Sequence, residues 1–508
     1  MWLRKTNICV LFNQEYLKLK GMYASQYLPF KHARVFSYVQ QSVVNSQRNH
    51  ITGTAAAAEA SSLIYQILSN GKKTLALRHL KEKLNGNGIL WNDPRLKQLH
   101  QNIQDWQSNN LHHENETINT SITADTFLHF LKDEVTLKLF CKVFSKGCVI
   151  PNFKKFTEII ADCFETAKKS QHGKVADYIP QLAKADPESW GLSICSVDGQ
   201  RFSIGDANES FCLQSCVKPF VYAIAVSDYS SEMIHRYMGQ EPSGLYFNAL
   251  NLNTEDKPHN PLINSGAIVV CSLIKPDQLL SERFEYVQKY LRDMCADEHV
   301  SFDNTVFLSE KQTSFQNFSI AYYLMEKNCF PVNTSLRTTL DFYLQLCAVT
   351  TTCQSAAVAA STLANGGVSP LLQNKDRLLQ PASVRNTLSL MHSCGMYDYS
   401  GKFAFQVGLP AKSGVAGGLL VVIPNVMGFM CRSPLLDDKG NSVRGIEFCR
   451  ELVRTFNFHT YDDLLHSVKK KDPRKLNRLL TSDEMRLSYL YKVMYEYDSE
   501  TDDSIQHD

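Results

Sequence analysis

FCLQSCVKPFVYAIAV, residues 211–226, joins a short strand-like start to an apolar run in helical period. Pro219 is tolerated only in the first turn of that helix, because deeper in it would remove a backbone hydrogen bond and clash with the preceding turn. The helix therefore begins near Ser215. Ser215 and Lys218, three residues apart, share one helical face. An unprotonated lysine so placed can take the proton from a serine hydroxyl that is otherwise a poor nucleophile. The helix N-terminus favours an oxyanion beside that hydroxyl. Spacing alone carries little weight, since Ser467 and Lys470 repeat it in a charged segment with no such setting.

Working outward, GLSICSV, then Asp198 and Gly199, then RFSIG reads as a β-hairpin just upstream. A mixed, mostly helical middle follows residue 226 and ends in the glycine-capped helix LANGG at 363–367. FQVGLPAKSG, GGLLVVIP and VMGFMC then read as strands, and RGIEFCRELVRTF as a closing helix. Two strands, a helical insertion and three more strands imply one antiparallel sheet assembled from both ends of an α+β domain, flanked by helices. Upstream, 60–170 carries apolar positions at helical spacing and is expected to form a small all-helical domain.

The returning strand supplies Lys412, Ser413 and Gly414. Ser-x-x-Lys followed by a distant Lys-Ser-Gly is the order found in serine acyl-transfer enzymes of the penicillin-recognising kind. Gly414 lets the backbone approach closely, which makes the Val415 N–H a candidate second oxyanion donor. Lys218 can act as a base only if burial or a neighbouring cation lowers its pKa from about 10.4. The tyrosines of GMYDYSG, Tyr397 and Tyr399, are candidates to share the proton traffic.

Composition narrows the function further. Of 508 residues, 44% are hydrophobic and 20% charged, as in a soluble globular protein, and Lys+Arg 53 against Asp+Glu 51 gives a nucleic-acid partner no electrostatic support. The 15 cysteines are odd in number and scattered, without a CxxC pair or secretory signal, so reduced buried thiols are expected. Residues 413–431 lack charge, but their glycines and Pro424 argue for two buried strands rather than a membrane span. Residues 1–58 carry seven basic residues and one acid, Glu15, a bias that resembles an organellar transit peptide and predicts import into the mitochondrial matrix. Residues 466–508 turn basic and then acidic and read as a solvated tail.

DYIPQLAK at 177–184, FCLQSCVKP, EPSGLYFN, DKPHNPLINSGAIV, LDFYLQLC, TLANGG, RNTLSLMHSCGMYDYSG and GLPAKSGVAGG together closely resemble the serine-dependent glutaminases, especially the animal kidney and liver types. The resemblance runs over about 170–465. It implies a serine β-lactamase-like catalytic domain at 171–465, with 60–170 as the family's N-terminal helical domain. It implies hydrolysis of L-glutamine to glutamate and ammonia through a γ-glutamyl ester on Ser215. Lys218 would be the base, Tyr397 the assisting hydroxyl, and Ser215 with Val415 the oxyanion donors. Tyr178, Asn264, Glu310, Asn317 and Tyr343 would bind substrate, with Glu310 on its ammonium. No metal or organic cofactor is implied; inorganic phosphate enters as an activator, and a homo-dimer or homo-tetramer is expected.

Two departures stand out. Between Glu310 and Asn317 the family has a Ser-Gly-acid-Arg-like stretch where this chain reads KQTSFQ, which puts the loop's geometry in question. Asn251 stands where an aromatic residue is expected in the 244–255 loop, which bears on inhibitor sensitivity and assembly. No ankyrin-like motif is legible after 465. The alternatives are a related acyl hydrolase acting on a β-lactam or peptide amide, and a silent relative serving as a scaffold or assembly subunit.

Overall fold

The structure is a computed structural model and describes residues 53–110, 120–244, 250–372, 377–462 and 469–496. The transit-peptide reading therefore falls mostly outside the described residues, as does Ser467. Contacts divide the chain into 1–58 and 59–508.

Helices α1 (Gly53–Ser69) and α2 (Leu77–Gly86), then α3 (Lys97–Asn110) and α4 (Ala124–Phe130), form two helix–loop–helix pairs. The two-residue strands β1 (Leu75–Ala76) and β2 (Ser121–Ile122) pair antiparallel and join them. Thr123 and Asp133 start α4 and α5 (Glu134–Phe144) by accepting the Thr126 and Thr136 N–H groups, as side-chain oxygens at helix N-termini do. Amphipathic α6 (Phe153–Lys168) leads into the catalytic region with Phe156, Ile160 and Phe164 buried.

The hairpin forms as expected: β3 (Gly191–Ser196) pairs with β4 (Arg201–Gly205) around Gly199, whose φ is +75°. This turn anchors the N-terminal helices, since Arg95 donates to the carbonyls of Asp198 (2.7 Å) and Gly199 (3.3 Å), and Lys142 pairs with Asp198. Strand β5 (Phe211–Cys212) pairs with β7 (Val349–Thr351), which also pairs with β6 (Val300–Phe302), in a small second sheet. Strands β8 (Ala411–Ser413), β9 (Gly418–Ile423) and β10 (Met427–Arg432) return to the first sheet, whose order is β4-β3-β10-β9-β8, antiparallel throughout. The sheet is thus assembled from both ends of the domain. The strand expected over FQVGLPAKSG begins only at Ala411, because its first residues close a helix, α15 (Ser400–Gln406).

Between β5 and β8 in sequence lie α7 (Lys218–Asp228), α8 (Asn264–Leu273), α9 (Leu280–Met294), α10 (Asn304–Thr313), α11 (Phe315–Glu326), α12 (Leu336–Cys347), α13 (Cys353–Ala364) and α14 (Pro381–Cys394). Alternation along the strands splits the core in two. Leu419, Val421, Phe429 and Cys431 pack with α6 and the closing helix α16 (Val443–Thr455), while Leu420, Val422 and Met430 face the helical insertion. The small-residue helix α13 lies directly on the sheet at Gly428. A Cβ there would come within 2.3 Å of the Ala360 carbonyl carbon, so only glycine admits the helix.

The segment 466–508 is not wholly a solvated tail. Thr481 and Glu484 form a reciprocal capping box that starts helix α17 (Ser482–Tyr495). Leu487 and Leu490 of α17 are fully buried, and Arg486 pairs with Glu59 at 2.7 Å.

Candidate active site

Pro219 lies in the first turn of α7, as its ring requires, and a 3₁₀ turn (Gln214–Val217) precedes it. Ser215 sits on that turn rather than on the α-helix itself. A 3₁₀ helix has three residues per turn, so Lys218, the C-cap of that turn, follows Ser215 by one full turn. Ser215 is 8% exposed and Lys218 2%. Burial pushes the Lys218 amine down to about 8. That amine donates to Asn264 Oδ1 at 2.6 Å, and Asn264 Nδ2 donates to Asn317 Oδ1 at 3.0 Å. It also lies 5.9 Å from the Tyr343 ring centroid.

Ser215 opens into a cavity of about 390 Å³ whose walls include Tyr178, Asn264, Glu310, Asn317, Tyr343 and Val415. All five residues expected to bind substrate are therefore brought together, from four helices and the segment before residue 180. Glu310 is buried and accepts from the Tyr178 hydroxyl (2.7 Å) and Gln214 Nε2 (3.1 Å), both at Oε1. Burial raises its carboxyl pKa, against the pull of those two donors. No lysine, arginine or histidine lines the cavity among the described residues. Its fixed charge is negative, which suits a ligand bearing an ammonium group.

Val415 lies in the turn between β8 and β9 rather than on a strand. The Gly414 N–H donates to the Gly418 carbonyl and the Gly417 N–H to the Gly414 carbonyl, both at 2.9 Å, closing that turn. A Cβ on Gly414 would meet the Leu213 carbonyl oxygen at 2.8 Å, so glycine brings the Val415 turn against the Ser215 turn.

Tyr397 is outside the cavity wall, but its side chain hydrogen-bonds that of Ser215, and its hydroxyl donates to the Ser413 carbonyl at 3.0 Å. Burial raises its pKa and the bond from Ser215 lowers it. Tyr399 points elsewhere, donating to Gln406 Oε1 at 2.9 Å and accepting from Arg450 at 2.8 Å. Of the two tyrosines, only Tyr397 reaches the serine. The decoy lysine, Lys470, is ion-paired with Asp462 at 2.8 Å.

The sequence reading missed Gln214, whose side chain holds Glu310 and whose φ of +48° is rare for a non-glycine residue. Tyr397 has a φ of +54°. Nothing in a glutamine or tyrosine announces a left-handed backbone. It also missed the burial of Lys412, whose amine burial and then the Lys218 charge push down to about 7. The 311–316 stretch is not a loop. Lys311 to Thr313 finish α10, and the Ser314 hydroxyl donates to the Glu310 carbonyl at the junction with α11. Lys311 is paired with Asp341 at 2.8 Å. Asn251 is exposed, while 245–249 of its loop lie outside the described residues. The 14 described cysteines are all buried and unpaired, as expected for reduced thiols. Among the described residues no helix is long and apolar enough to cross a membrane, and no cluster of three or more His, Cys, Asp or Glu residues is placed to hold a metal ion.

The antiparallel sheet covered by helices on both faces, with the cavity beside the buried 3₁₀ turn, agrees with the α+β, serine β-lactamase-like architecture that the sequence resemblance implies. A glutaminase family model matches residues 173–461. The mouse mitochondrial liver isoform of glutaminase is 47% identical over 417 residues, covering 81% of this chain and 67% of that one. A putative glutaminase 3 of Caenorhabditis elegans is 42% identical over 436 residues, covering 82% and 73%. A solved structure described as a probable glutaminase, ybaS, aligns with a TM-score of 0.56 at 34% identity, covering 58% of this chain and 95% of that chain. The chain belongs to the glutaminase family, hydrolases of the side-chain amide of glutamine. An EF-hand domain model matches 60–151, which agrees with the paired helix–loop–helix units joined through β1 and β2. The first of those loops, 70–74, reads NGKKT and carries no carboxylate of the kind calcium loops use.

Proposed function

We propose that this chain hydrolyses L-glutamine to glutamate and ammonia through a γ-glutamyl ester on Ser215. The observation that carries the reading is that Ser215 shares one cavity wall with Glu310, Asn264 and Asn317, next to a buried lysine. Neutral Lys218, oriented by Asn264, takes the hydroxyl proton as Ser215 Oγ attacks the amide carbon. The N–H groups of Ser215 and Val415 receive the developing oxyanion. Tyr397, bonded to Ser215, helps carry the proton to the departing ammonia, and water then opens the ester. Glu310 holds the substrate ammonium, with Tyr178 and Gln214 fixing the carboxylate. Tyr343 and the amides of Asn264 and Asn317 serve the rest of the molecule. These protein groups supply the acid, base and electrophilic functions without a metal or organic cofactor, with inorganic phosphate as an activator.

The cavity speaks against a β-lactam, whose lone carboxylate would face Glu310 with no cation lining the wall among the described residues. Nor does the altered 311–316 stretch favour a silent scaffold. It continues a helix and leaves Glu310 and Asn317 on the same cavity. By analogy with the mitochondrial relatives and the basic bias of residues 1–58, we place the protein in the mitochondrial matrix, and the family resemblance supports a homo-oligomer.

Ammonia release from glutamine by the purified full chain, across phosphate concentrations, tests the activity. No release at any phosphate concentration overturns it. A reporter fused to residues 1–60 that stays diffuse in the cytosol removes the location, and a monomer by light scattering removes the assembly.

A further inference from the structure

Lys412 stands on the edge strand β8, yet it is fully buried and does not line the cavity. Its amine donates to the carbonyls of Ser413 (2.7 Å) and Gly395 (3.2 Å) and lies 4.4 Å from the Tyr397 ring centroid. Two carbonyls and a ring face meet its hydrogens in place of a carboxylate. Gly395, just after α14, is pressed onto β8. A Cβ there would lie 1.7 Å from the Ala411 carbonyl oxygen, and the Ser413 N–H donates to the Gly395 carbonyl at 3.1 Å. The Tyr397 hydroxyl donates to the same Ser413 carbonyl that takes the lysine. With its proton committed there, the phenol oxygen presents its lone pairs to the Ser215 hydroxyl.

Resting on the reading of Ser215 as nucleophile, we infer that Lys412 is a positioning residue for Tyr397. Its amine clamps the Gly395 turn to β8 and, through the shared Ser413 carbonyl, fixes the phenol against the Ser215 hydroxyl. The left-handed backbone of Tyr397, which a β-carbon disfavours, is the conformation this clamp holds in place.

The test is kcat, KM and melting temperature of the full chain for Lys412→Met, Lys412→Gln, Tyr397→Phe and the two double variants. Wild type and Ser215→Ala, run alongside, judge the nucleophile reading separately: if wild type turns over glutamine and Ser215→Ala does not, the lysine variants test the clamp alone. Each single variant is expected to lose about 10²-fold in kcat with KM within about threefold, and each double variant to fall no more than about threefold below Tyr397→Phe. Losses that multiply in the doubles, an unchanged kcat, a change in KM alone, or failure of both lysine variants to fold would each overturn the inference.

Discussion

The Lys218 amine donates to Asn264 Oδ1 at 2.6 Å, and the same amide passes a second bond to Asn317, so one side chain ties the base to the substrate wall. Asn264→Asp would place a carboxylate beside that amine and raise its pKa, because an opposite charge favours the ammonium. At neutral pH the base would then be protonated. We expect kcat to fall at least about tenfold there and to recover partly at higher pH, in contrast to Asn264→Ala, whose loss should persist across the range. Steady-state kinetics over pH separate the two.

In the unmodified protein, burial holds Lys218 down to about 8. The base works neutral, so kcat should rise with pH through about 8 and level off above it, before thiols and tyrosines titrate. A lysine at its ordinary value would keep kcat climbing toward a pH of about 10. The limb should vanish in single-turnover assays of Lys218→Ala.

Glu310→Gln removes the negative charge from the cavity while keeping a shape that Tyr178 and Gln214 can still bond. KM for glutamine is expected to rise at least about tenfold, more than kcat falls, since an ionic contact to the ammonium is lost in ground and transition states alike. Because burial raises the Glu310 pKa, KM in the unmodified protein should also rise as acid protonates that carboxyl, at a higher pH than an exposed glutamate would require.

How much of this was legible depended on whether a residue's role follows from type and spacing. Pro219 and the KSG strand located the serine, and alternation in β9 and β10 located the sheet. FQVGLP misled because its apolar residues alternate like a strand, although its first two residues, Phe405 and Gln406, are the last of the helix SGKFAFQ. Helix α17 was hidden by the acids that follow, even though Thr481 and Glu484 spell a capping box. Gln214 and Lys412 were beyond reach, since a positive φ on glutamine and a lysine buried against two carbonyls arise only from tertiary packing.

The sheet itself offers a stability test at Gly428, where a side chain would strike the backbone of α13. Gly428→Ala is expected to destabilise the fold by about 1–3 kcal/mol through overpacking and to lower the thermal midpoint. A midpoint equal to wild type would mean that helix and sheet are not in contact there.

The central claim is the ester on Ser215. Full-chain protein mixed with glutamine, quenched in acid within milliseconds to seconds and digested, should yield the Ser215 peptide carrying one glutamyl group, with none in Ser215→Ala. Ammonia release at the wild-type rate with that peptide always unmodified, or from Ser215→Ala itself, would contradict the account.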